Sequence, residues 1–323
     1  MKAAIYRSYG PPDVLTIEDV EPPVLQEEHE DRVLIKVHYA SVNPFDYLHR
    51  KGYFPIRLVI GLFAPKEQIQ RLGIDVAGTI AAIGKNVARF KVGDPIFGNC
   101  VGSHAEYVRA RENAICMLPN NITFKEAAAI PTAALTALQA LRDVARIEKN
   151  QKVLINGASG GVGHFAVQIA RFYDADVTAV CSTPNLKWVK DLGANAMIDY
   201  TREDFTRNGE KYDIILDIAA THTYFRCKPS LTRSGVYITE NPLKPAYRLF
   251  QILFSSLTGD KRGKSHLSLP NDKDMAFLRE LIEQGHLRPI IEKVYPLDKI
   301  VDAHRHVESG HTKGKIVVQI QKG

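Results

Sequence analysis

Cysteine is scarce in this sequence, and the few cysteines that occur are widely separated. The 323 residues include 4 of them, and no two stand at a short metal-binding or redox spacing. Their positions are Cys100, Cys116, Cys181 and Cys227. The pattern predicts free thiols in a reducing compartment rather than a disulfide framework.

Long apolar runs and runs of one charge are also missing. The opening "MKAAIYRSYGPP" has no long apolar stretch, so no secretory signal is expected there. The most apolar later run, "YRLFQILFSSL" at 247–257, is too short to span a bilayer. The formal charge is +6, but basic and acidic residues alternate along the chain. The sequence therefore favours neither a nucleic acid nor a membrane as a partner, and a cytoplasmic location is the default expectation.

The composition that remains is that of a folded protein with two domains. Hydrophobic residues make up 45% and charged residues 24%. Short alternating segments such as "RVLIKVHYASVN" predict a β-rich unit over residues 1–122. The sequence pattern changes from alternating to helical spacing at Thr123. Thr123 and Glu126 form a Thr-x-x-Glu sequence that predicts a helix cap before an Ala-rich helical segment. We expect a second domain over 123–270 and a return to the first over 271–323.

The second domain alternates between strands and helices. The segments "KVLING", "DVTAVC" and "YDIILDIA" are continuous apolar strands, and helical segments such as "GHFAVQIARFY" separate them. Continuous apolar strands joined by helices predict a parallel sheet covered on both faces. The expected fold class is therefore α/β.

A glycine-rich turn between a strand and a helix is the strongest motif. In "VLINGASGGVGHFAVQIAR", Gly160 and Gly163 match the second and third positions of G-x-G-x-x-G, and Ala158 replaces the first. A pyrophosphate needs close backbone approach and N–H groups at a helix N-terminus, and glycines permit both. The motif predicts a dinucleotide site in a Rossmann domain.

The end of the next strand bears on which dinucleotide binds. An NAD site expects an acid about 20 residues after the glycines, bonded to the ribose 2′-hydroxyl. The loop "CSTPNLK" holds only neutral residues and Lys187, and no acid stands between Asp176 and Asp191. A carboxylate would repel a 2′-phosphate, so its absence favours NADPH.

The stretch "SVNPFDYLHRKG" at 41–52 gathers polar side chains that suit a metal site, a proton relay or a polar helix start. Tyr47 and Lys51 also match Tyr-x-x-x-Lys, the acid/base pair of short-chain reductases. Tyr224 and Lys228 match the same loose pattern. Tyr47 is kept as a candidate proton donor.

The order of motifs resembles the medium-chain dehydrogenase/reductase superfamily, in its quinone oxidoreductase branch. The resemblance rests on "MKAAIYRSYGPPDVL", "GIDVAGTI", "AAAIPTAALTAL", "INGASGGVG", "GANAMIDY" and "GKIVVQI", which run in order over nearly the whole chain. It implies a GroES-like β-barrel catalytic domain with an inserted Rossmann domain, and a homodimer.

The resemblance also assigns roles in the stretch 41–52. In zinc alcohol dehydrogenases of this superfamily a Cys stands at the position of Asn43, and a His followed by a Glu stands at Ile74 and Asp75. Asn43 and Ile74 cannot supply zinc ligands, so no metal is expected. Asn43 is then expected to face the nicotinamide ribose, and Asp46 to orient the loop or a proton path.

Motif and resemblance together predict one set of cofactor-binding residues: Asn43, Thr136, Ser159, Gly160, Gly161, Val162, Gly163, Ser182, Thr183, Asn185, Lys187 and Tyr200. Two positions depart from the family. Pro184 replaces an Arg that grips the 2′-phosphate in many relatives, which weakens a strict NADPH preference. "TEN" at 239–241 replaces a Gly pair of the nicotinamide pocket.

The expected function is a zinc-independent oxidoreductase that transfers hydride from NADPH, with NADH as a second donor. Without zinc a simple ketone is not strongly polarised, so the expected substrate is a small molecule that accepts hydride readily, a quinone or an α,β-unsaturated carbonyl. The candidate catalytic residues are Asn43, Asp46 and Tyr47. The alternative is a cofactor-binding protein with little turnover that serves a partner or a structural role.

Overall fold

The chain forms two units. The computed structural model describes residues 1–26, 29–67, 70–239 and 262–321. Its contacts group Met1–Thr132 with Pro270–Gly323 as unit 1 and leave Ala133–Leu269 as unit 2. Each unit is described by itself below.

The first boundary lies at Thr132 rather than at the expected residue 122. The reason is a short helix, α3 (Phe124–Ala127), which packs on strands of unit 1. Its Phe124 ring stacks on His38, with ring centroids 4.7 Å apart. The predicted cap is confirmed, because Thr123 and Glu126 form a reciprocal capping box at the start of this helix.

Unit 1 is built on a mixed, mainly antiparallel sheet of seven strands. The strand order is β14-β15-β3-β4-β5-β7, and β6 pairs with β3 off this path. A separate hairpin pairs β1 (Lys2–Tyr6) with β2 (Leu15–Asp19). The strands of the large sheet are β3 (Arg32–Val42), β4 (Asp75–Ile83), β5 (Pro95–Asn99), β6 (Tyr107–Arg111), β7 (Ile115–Met117), β14 (Ile291–Pro296) and β15 (Lys315–Gln319).

Alternation in β3 explains how this sheet closes over a core. Val33, Ile35 and Val37 are fully buried at alternate positions, as expected for one face of a strand. The helices of unit 1 are α1 (Pro44–Lys51), α2 (Phe54–Ile60), α3, α8 (Asp272–Glu283) and α9 (Ile300–Glu308). The side chains of Ile300 and Ala303 on α9 join the same core cluster.

The Ala-rich segment after Thr123 does not form one helix. It breaks after α3 and resumes as α4 (Pro131–Gln139), with proline at the first helical position. The following turns, Ala140–Ala145, are π-helical. Both parts are helical, as the spacing predicts, but Pro131 has no N–H to donate the backbone hydrogen bond that one continuous helix needs.

Unit 2 is a six-stranded parallel sheet in the order β10-β9-β8-β11-β12-β13. From β8 the chain adds β9 and β10 on one side of the sheet and then crosses to β11, β12 and β13 on the other side. The strand order therefore reverses between β8 and β11, and such a switch point is where open α/β sheets bind ligands. The strands are β8 (Lys152–Asn156), β9 (Asp176–Cys181), β10 (Ala196–Asp199), β11 (Tyr212–Asp217), β12 (Leu231–Thr239) and β13 (Gly263–Ser265).

Three further helices connect these strands: α5 (Gly163–Phe172), α6 (Leu186–Lys190) and α7 (Tyr224–Cys227). The predicted α/β fold with a doubly wound parallel sheet is confirmed. Within the described ranges, no helix has the length and apolarity needed to cross a membrane. The apolar run 247–257 and residues 240–241 of the "TEN" motif lie outside the described residues.

Candidate active site

The glycine loop joins β8 to α5 and is held close to the sheet. Gly157 has φ +87°, a conformation that favours glycine. A Cβ built on Gly163 would overlap the carbonyl oxygen of Gly157 and lie 2.7 Å from Cα of Ala158. A Cβ on Gly160 would meet only that carbonyl oxygen, at 3.4 Å. Gly163 is therefore needed for packing, whereas the space beside Gly160 is open to a ligand.

Backbone hydrogen bonds fix the shape of this loop. The N–H groups of Gly157 and Ala158 both donate to the carbonyl of Val180 on β9, at 3.1 and 3.0 Å. The Gly160 N–H donates to Gly157 O at 3.0 Å, and the buried His164 ring lies 2.9 Å from Gly160 O. The other predicted loop contacts, Ser159, Gly161 and Val162, are partly exposed at the start of α5. The arrangement suits a phosphate group at a helix N-terminus.

A second loop follows β9 and carries the residues predicted to bind the adenosine end. Asn185 is 7% exposed, and both ends of its amide are used to hold the loop. It donates to Ser182 Oγ at 3.0 Å and accepts from Trp188 Nε1 at 3.0 Å. Lys187 is exposed on α6, and Tyr200, 55% exposed, bonds through its N–H to Cys181 O at 3.2 Å. The predicted residues thus share one edge of the sheet.

An acid from the neighbouring strand lies beside this loop. Asp199 ends β10 beside Cys181 of β9, and its carboxylate accepts a hydrogen bond from Thr183 Oγ1. Hydrogen bonds from Thr183 and Thr201 lower the pKa of Asp199, so its carboxylate is charged at neutral pH. The adenosine loop lacks an acid of its own sequence, but the neighbouring strand supplies one.

Thr136 lies on α4 and is buried. Its hydroxyl lies 2.9 Å from Ser268 Oγ within unit 2. Its predicted cofactor contact stays a prediction.

Unit 1 holds a buried polar cluster around Asp75. Its Oδ2 accepts hydrogen bonds from Ser41 Oγ at 2.6 Å and Asn43 Nδ2 at 3.0 Å. The ammonium of Lys315 lies 3.3 Å from the same oxygen and donates to Asn43 Oδ1 at 2.5 Å. Thr132 supplies two donors to Oδ1, its N–H at 2.8 Å and its hydroxyl at 2.6 Å. Asn43 is therefore fixed between an anion and a cation.

Strand register explains this cluster. Ser41 pairs with Asp75 across β3 and β4, and Val42 pairs with Ile316 across β3 and β15. The end of β3 and the starts of the other two strands thus meet at one edge. Lys315 comes from the far end of the chain and is 3% exposed in its side chain.

Asp46 caps α1 and links it to a neighbouring loop. Its Oδ2 accepts from Asn43 N at 2.7 Å and its Oδ1 accepts from Gly73 N at 2.9 Å. Complete burial raises the pKa of Asp46 to about 7, although these two N–H groups and Lys315 oppose the shift. The structure therefore supports the predicted polar helix start, with a carboxyl group that can exchange a proton near neutral pH.

The raised pKa predicts a pH dependence of stability. An acid with a raised pKa binds its proton more tightly in the folded state, so Asp46 stabilises the fold at low pH. This contribution is lost as the pH rises from the ordinary pKa of 3.8 through about 7. We expect the free energy of unfolding of the wild type, minus that of Asp46→Asn, to fall across this window and then level off. Urea unfolding at a series of pH values measures it; a difference that rises with pH would contradict the prediction.

The predicted proton donor Tyr47 is half-buried, and burial raises the pKa of its hydroxyl. Its catalytic role stays a prediction. The Lys51 ammonium lies 5.4 Å from the centroid of its ring and pairs with Glu308 at 2.9 Å. In the second Tyr-x-x-x-Lys pair, Lys228 lies 5.9 Å from the ring centroid of the buried Tyr224. Both motifs are geometrically alike, which fits a helical i, i+4 contact better than a catalytic role.

Comparison with known proteins decides the family. Residues 29–140 match the family "Alcohol dehydrogenase GroES-like domain", and 192–318 match "Zinc-binding dehydrogenase". A protein of Spinacia oleracea named "Quinone-oxidoreductase homolog, chloroplastic" is 33% identical over 99% of this chain and 98% of its own. An Arabidopsis thaliana protein, "NADPH-dependent alkenal/one oxidoreductase, chloroplastic", is 32% identical over 98% and 79%. The solved quinone oxidoreductase of Coxiella burnetii has 30% identity, TM-score 0.86 and 99% coverage of both chains.

The chain belongs to the medium-chain dehydrogenase/reductase superfamily, in its quinone oxidoreductase-like branch. Unit 1 is its GroES-like domain and unit 2 its Rossmann domain. These relatives are named as oxidoreductases, and this chain is a nicotinamide-dependent oxidoreductase. The family prediction made from the sequence motifs is confirmed.

One matched family carries zinc in its name, and the residues around Asn43 do not fit that ion. Within residues 1–26, 29–67, 70–239 and 262–321, no three His, Cys, Asp or Glu side chains form a metal-binding group. The Lys315 ammonium already lies against Asn43 and Asp75, and it would repel a second cation there. Burial also raises the pKa of the nearby Cys100 thiol, which disfavours the thiolate that zinc binds.

Two residues of the site were missed from the sequence. Lys315 stands in "GKIVVQI" and Asp199 in "GANAMIDY", two segments that carry the family resemblance, but only Tyr200 of these segments is a predicted site residue. A buried lysine at a strand start is a signal only once the register places an acid beside it.

Proposed function

We propose that this protein is a zinc-independent reductase that transfers hydride, preferentially from NADPH, to a quinone or an α,β-unsaturated carbonyl. The observation that carries the proposal is the Lys315 ammonium, which binds the acceptors of Asn43 and Asp75 where a metal would need them. Without a Lewis acid, hydride transfer needs an acceptor that is already electron-poor. Quinones and conjugated carbonyls meet that condition, whereas simple ketones do not.

The chemistry divides between cofactor and protein. The reduced nicotinamide, when bound, supplies two electrons and a proton as hydride. A second proton, from water or a tyrosine hydroxyl, completes the hydroquinone or the saturated carbonyl. The chain's own residues contribute positioning, since Asp75 and Lys315 hold Asn43 in one orientation.

The proposed preference for NADPH rests on charge near the adenosine loop. The loop after β9 has no acid in its own sequence, and Lys187 is exposed beside it. The Arabidopsis relative is named for NADPH dependence. Pro184 keeps the expected margin small, because it cannot form the ion pair of an arginine with a 2′-phosphate.

A substrate panel tests the reaction class. We expect steady oxidation of NADPH with quinones, alkenals and alkenones, and at least about tenfold slower oxidation with the saturated carbonyl matched to each enone, a difference of about 1.4 kcal/mol in barrier. Loss of the reduced nicotinamide absorbance measures the rates. Tight dinucleotide binding without turnover on any acceptor would favour the alternative, a cofactor-binding protein with a partner or structural role.

Metal content is a separate prediction. We expect the purified protein to hold no stoichiometric zinc and to keep its activity in a strong chelator. The reason is that Asn43 is a poor zinc ligand and the Lys315 ammonium already binds its side-chain oxygen. Elemental analysis and assays with and without chelator test it. One bound zinc per chain, with activity lost on its removal, would overturn zinc independence.

A homodimer and a cytoplasmic location stay predictions from the family resemblance and the composition. Light scattering after gel filtration measures the first.

A further inference from the structure

The carboxylate of Asp199 lies against the loop proposed to receive the adenosine 2′-substituent. Register places Asp199 beside Cys181, so the end of β10 reaches the residues that follow β9. The carboxylate binds Thr183 through Oδ2, and it accepts from Thr201 Oγ1 at 2.7 Å and Thr201 N at 3.0 Å through Oδ1. Its side chain is 9% exposed, so these contacts hold it in place.

The contact between Thr183 and Asp199 leaves hydrogen-bond acceptors rather than donors for a ligand. A threonine hydroxyl has one hydrogen to donate, and Thr183 donates it to Asp199. The hydroxyl oxygen can still accept, as can the carboxylate. A ribose 2′-hydroxyl can donate to such acceptors, whereas a fully ionised 2′-phosphate can only accept. The pair therefore matches NADH better than NADPH.

The negative charge of Asp199 also favours NADH over NADPH. Asp199 is anionic at neutral pH, because hydrogen bonds from Thr183 and Thr201 lower its pKa. Arg202 lies 3.7 Å from it but is 77% exposed, so solvent screens that partner strongly. A 2′-phosphate would meet an anion that Arg202 only partly offsets.

We propose that Asp199, through its hydrogen bond with Thr183, sets the ratio of NADH to NADPH affinity and holds the NADPH preference close to parity. The inference rests on the proposed function, since it assumes that unit 2 binds the dinucleotide at this loop. Asp199 is a positioning and specificity residue, not one that takes part in hydride transfer.

The decisive measurement is the dissociation constant of each dinucleotide for the wild type and Asp199→Asn, by fluorescence titration. We expect the Kd for NADH divided by the Kd for NADPH to rise about tenfold in the variant, the effect of removing one charge beside a dianion at a partly solvated site. The difference in this ratio between wild type and variant should shrink in high salt, because salt screens the repulsion between Asp199 and the 2′-phosphate. The loss of a purely structural contact would not depend on salt in this way.

Matched variants separate charge from structure. Thr201→Val removes one partner of Asp199 but keeps its carboxylate, and Asp199→Glu keeps the charge, so both should stay near the wild-type ratio. If Asp199→Asn does not fold, Asp199→Ser also removes the carboxylate and should shift the ratio in the same direction.

Different results would overturn the role of Asp199 and the proposed function. An unchanged ratio in a folded Asp199→Asn or Asp199→Ser variant that binds both dinucleotides overturns the role of Asp199. A wild-type protein that binds neither dinucleotide overturns the proposed function instead.

Discussion

Gly160→Val is expected to abolish dinucleotide binding and leave the fold intact, whereas Gly163→Val is expected to destabilise the protein. A side chain at Gly163 would enter the backbone of Gly157 and Ala158, and such overpacking costs about 1–3 kcal/mol or more. At Gly160 the first added carbon has room beside the backbone, so a larger side chain would occupy the space that the pyrophosphate needs.

Two measurements on both variants separate these effects. Melting temperature should fall for Gly163→Val and stay within about a degree or two of wild type for Gly160→Val, since a surface change away from packed atoms alters stability by only about 0.5 kcal/mol. Fluorescence titration of the folded proteins should show the larger loss of dinucleotide affinity in Gly160→Val and the smaller loss in Gly163→Val. Wild-type NADPH affinity in Gly160→Val would mean that the dinucleotide binds elsewhere.

Breaking the buried pair between Asp75 and Lys315 should produce the second large effect. Either Asp75→Asn or Lys315→Met leaves the other charge buried, which costs about 3–5 kcal/mol in comparable pairs. The double variant removes both charges and should recover much of that loss. Chemical unfolding of the four proteins forms a double-mutant cycle, and a coupling energy near zero would show that the pair contributes no net interaction.

Lys313→Met is the matched control for Lys315→Met. Lys313 is exposed and stands two residues before the buried lysine on the same segment. Its replacement should change the free energy of unfolding by no more than about 0.5 kcal/mol. An equal loss in both variants would indicate that any methionine here is harmful, independent of the ion pair.

Features that depend on residues close together in the sequence could be predicted from it. The glycine loop, its strand and its helix follow from local pattern, and so does the Thr123 cap. The end of unit 1 at Thr132 follows instead from a tertiary contact, the stacking of Phe124 on His38. No local pattern states which strand a short helix will pack against.

The functional groups that were missed share one cause. Asp199 reaches Thr183 because two parallel strands end side by side, and Lys315 reaches Asn43 because an antiparallel strand returns from the far end of the chain. The adenosine loop has no acid among its own residues, as its sequence shows. Strand order and register nevertheless place Asp199 beside it, and neither can be read from the loop itself.

The split construction of unit 1 has a consequence during synthesis on the ribosome. Residues 133–269 form a continuous unit that can close as soon as it emerges. Unit 1 begins earlier but is completed last, because β15 lies between β14 and β3 in its sheet. Until Lys315 is translated, one edge of β3 has no partner from β15 and Asp75 has no lysine beside it. A chain released before that residue would carry an open strand edge on β3 and an Asp75 without its lysine partner, and incompletely folded chains are the ones that chaperones and proteases act on.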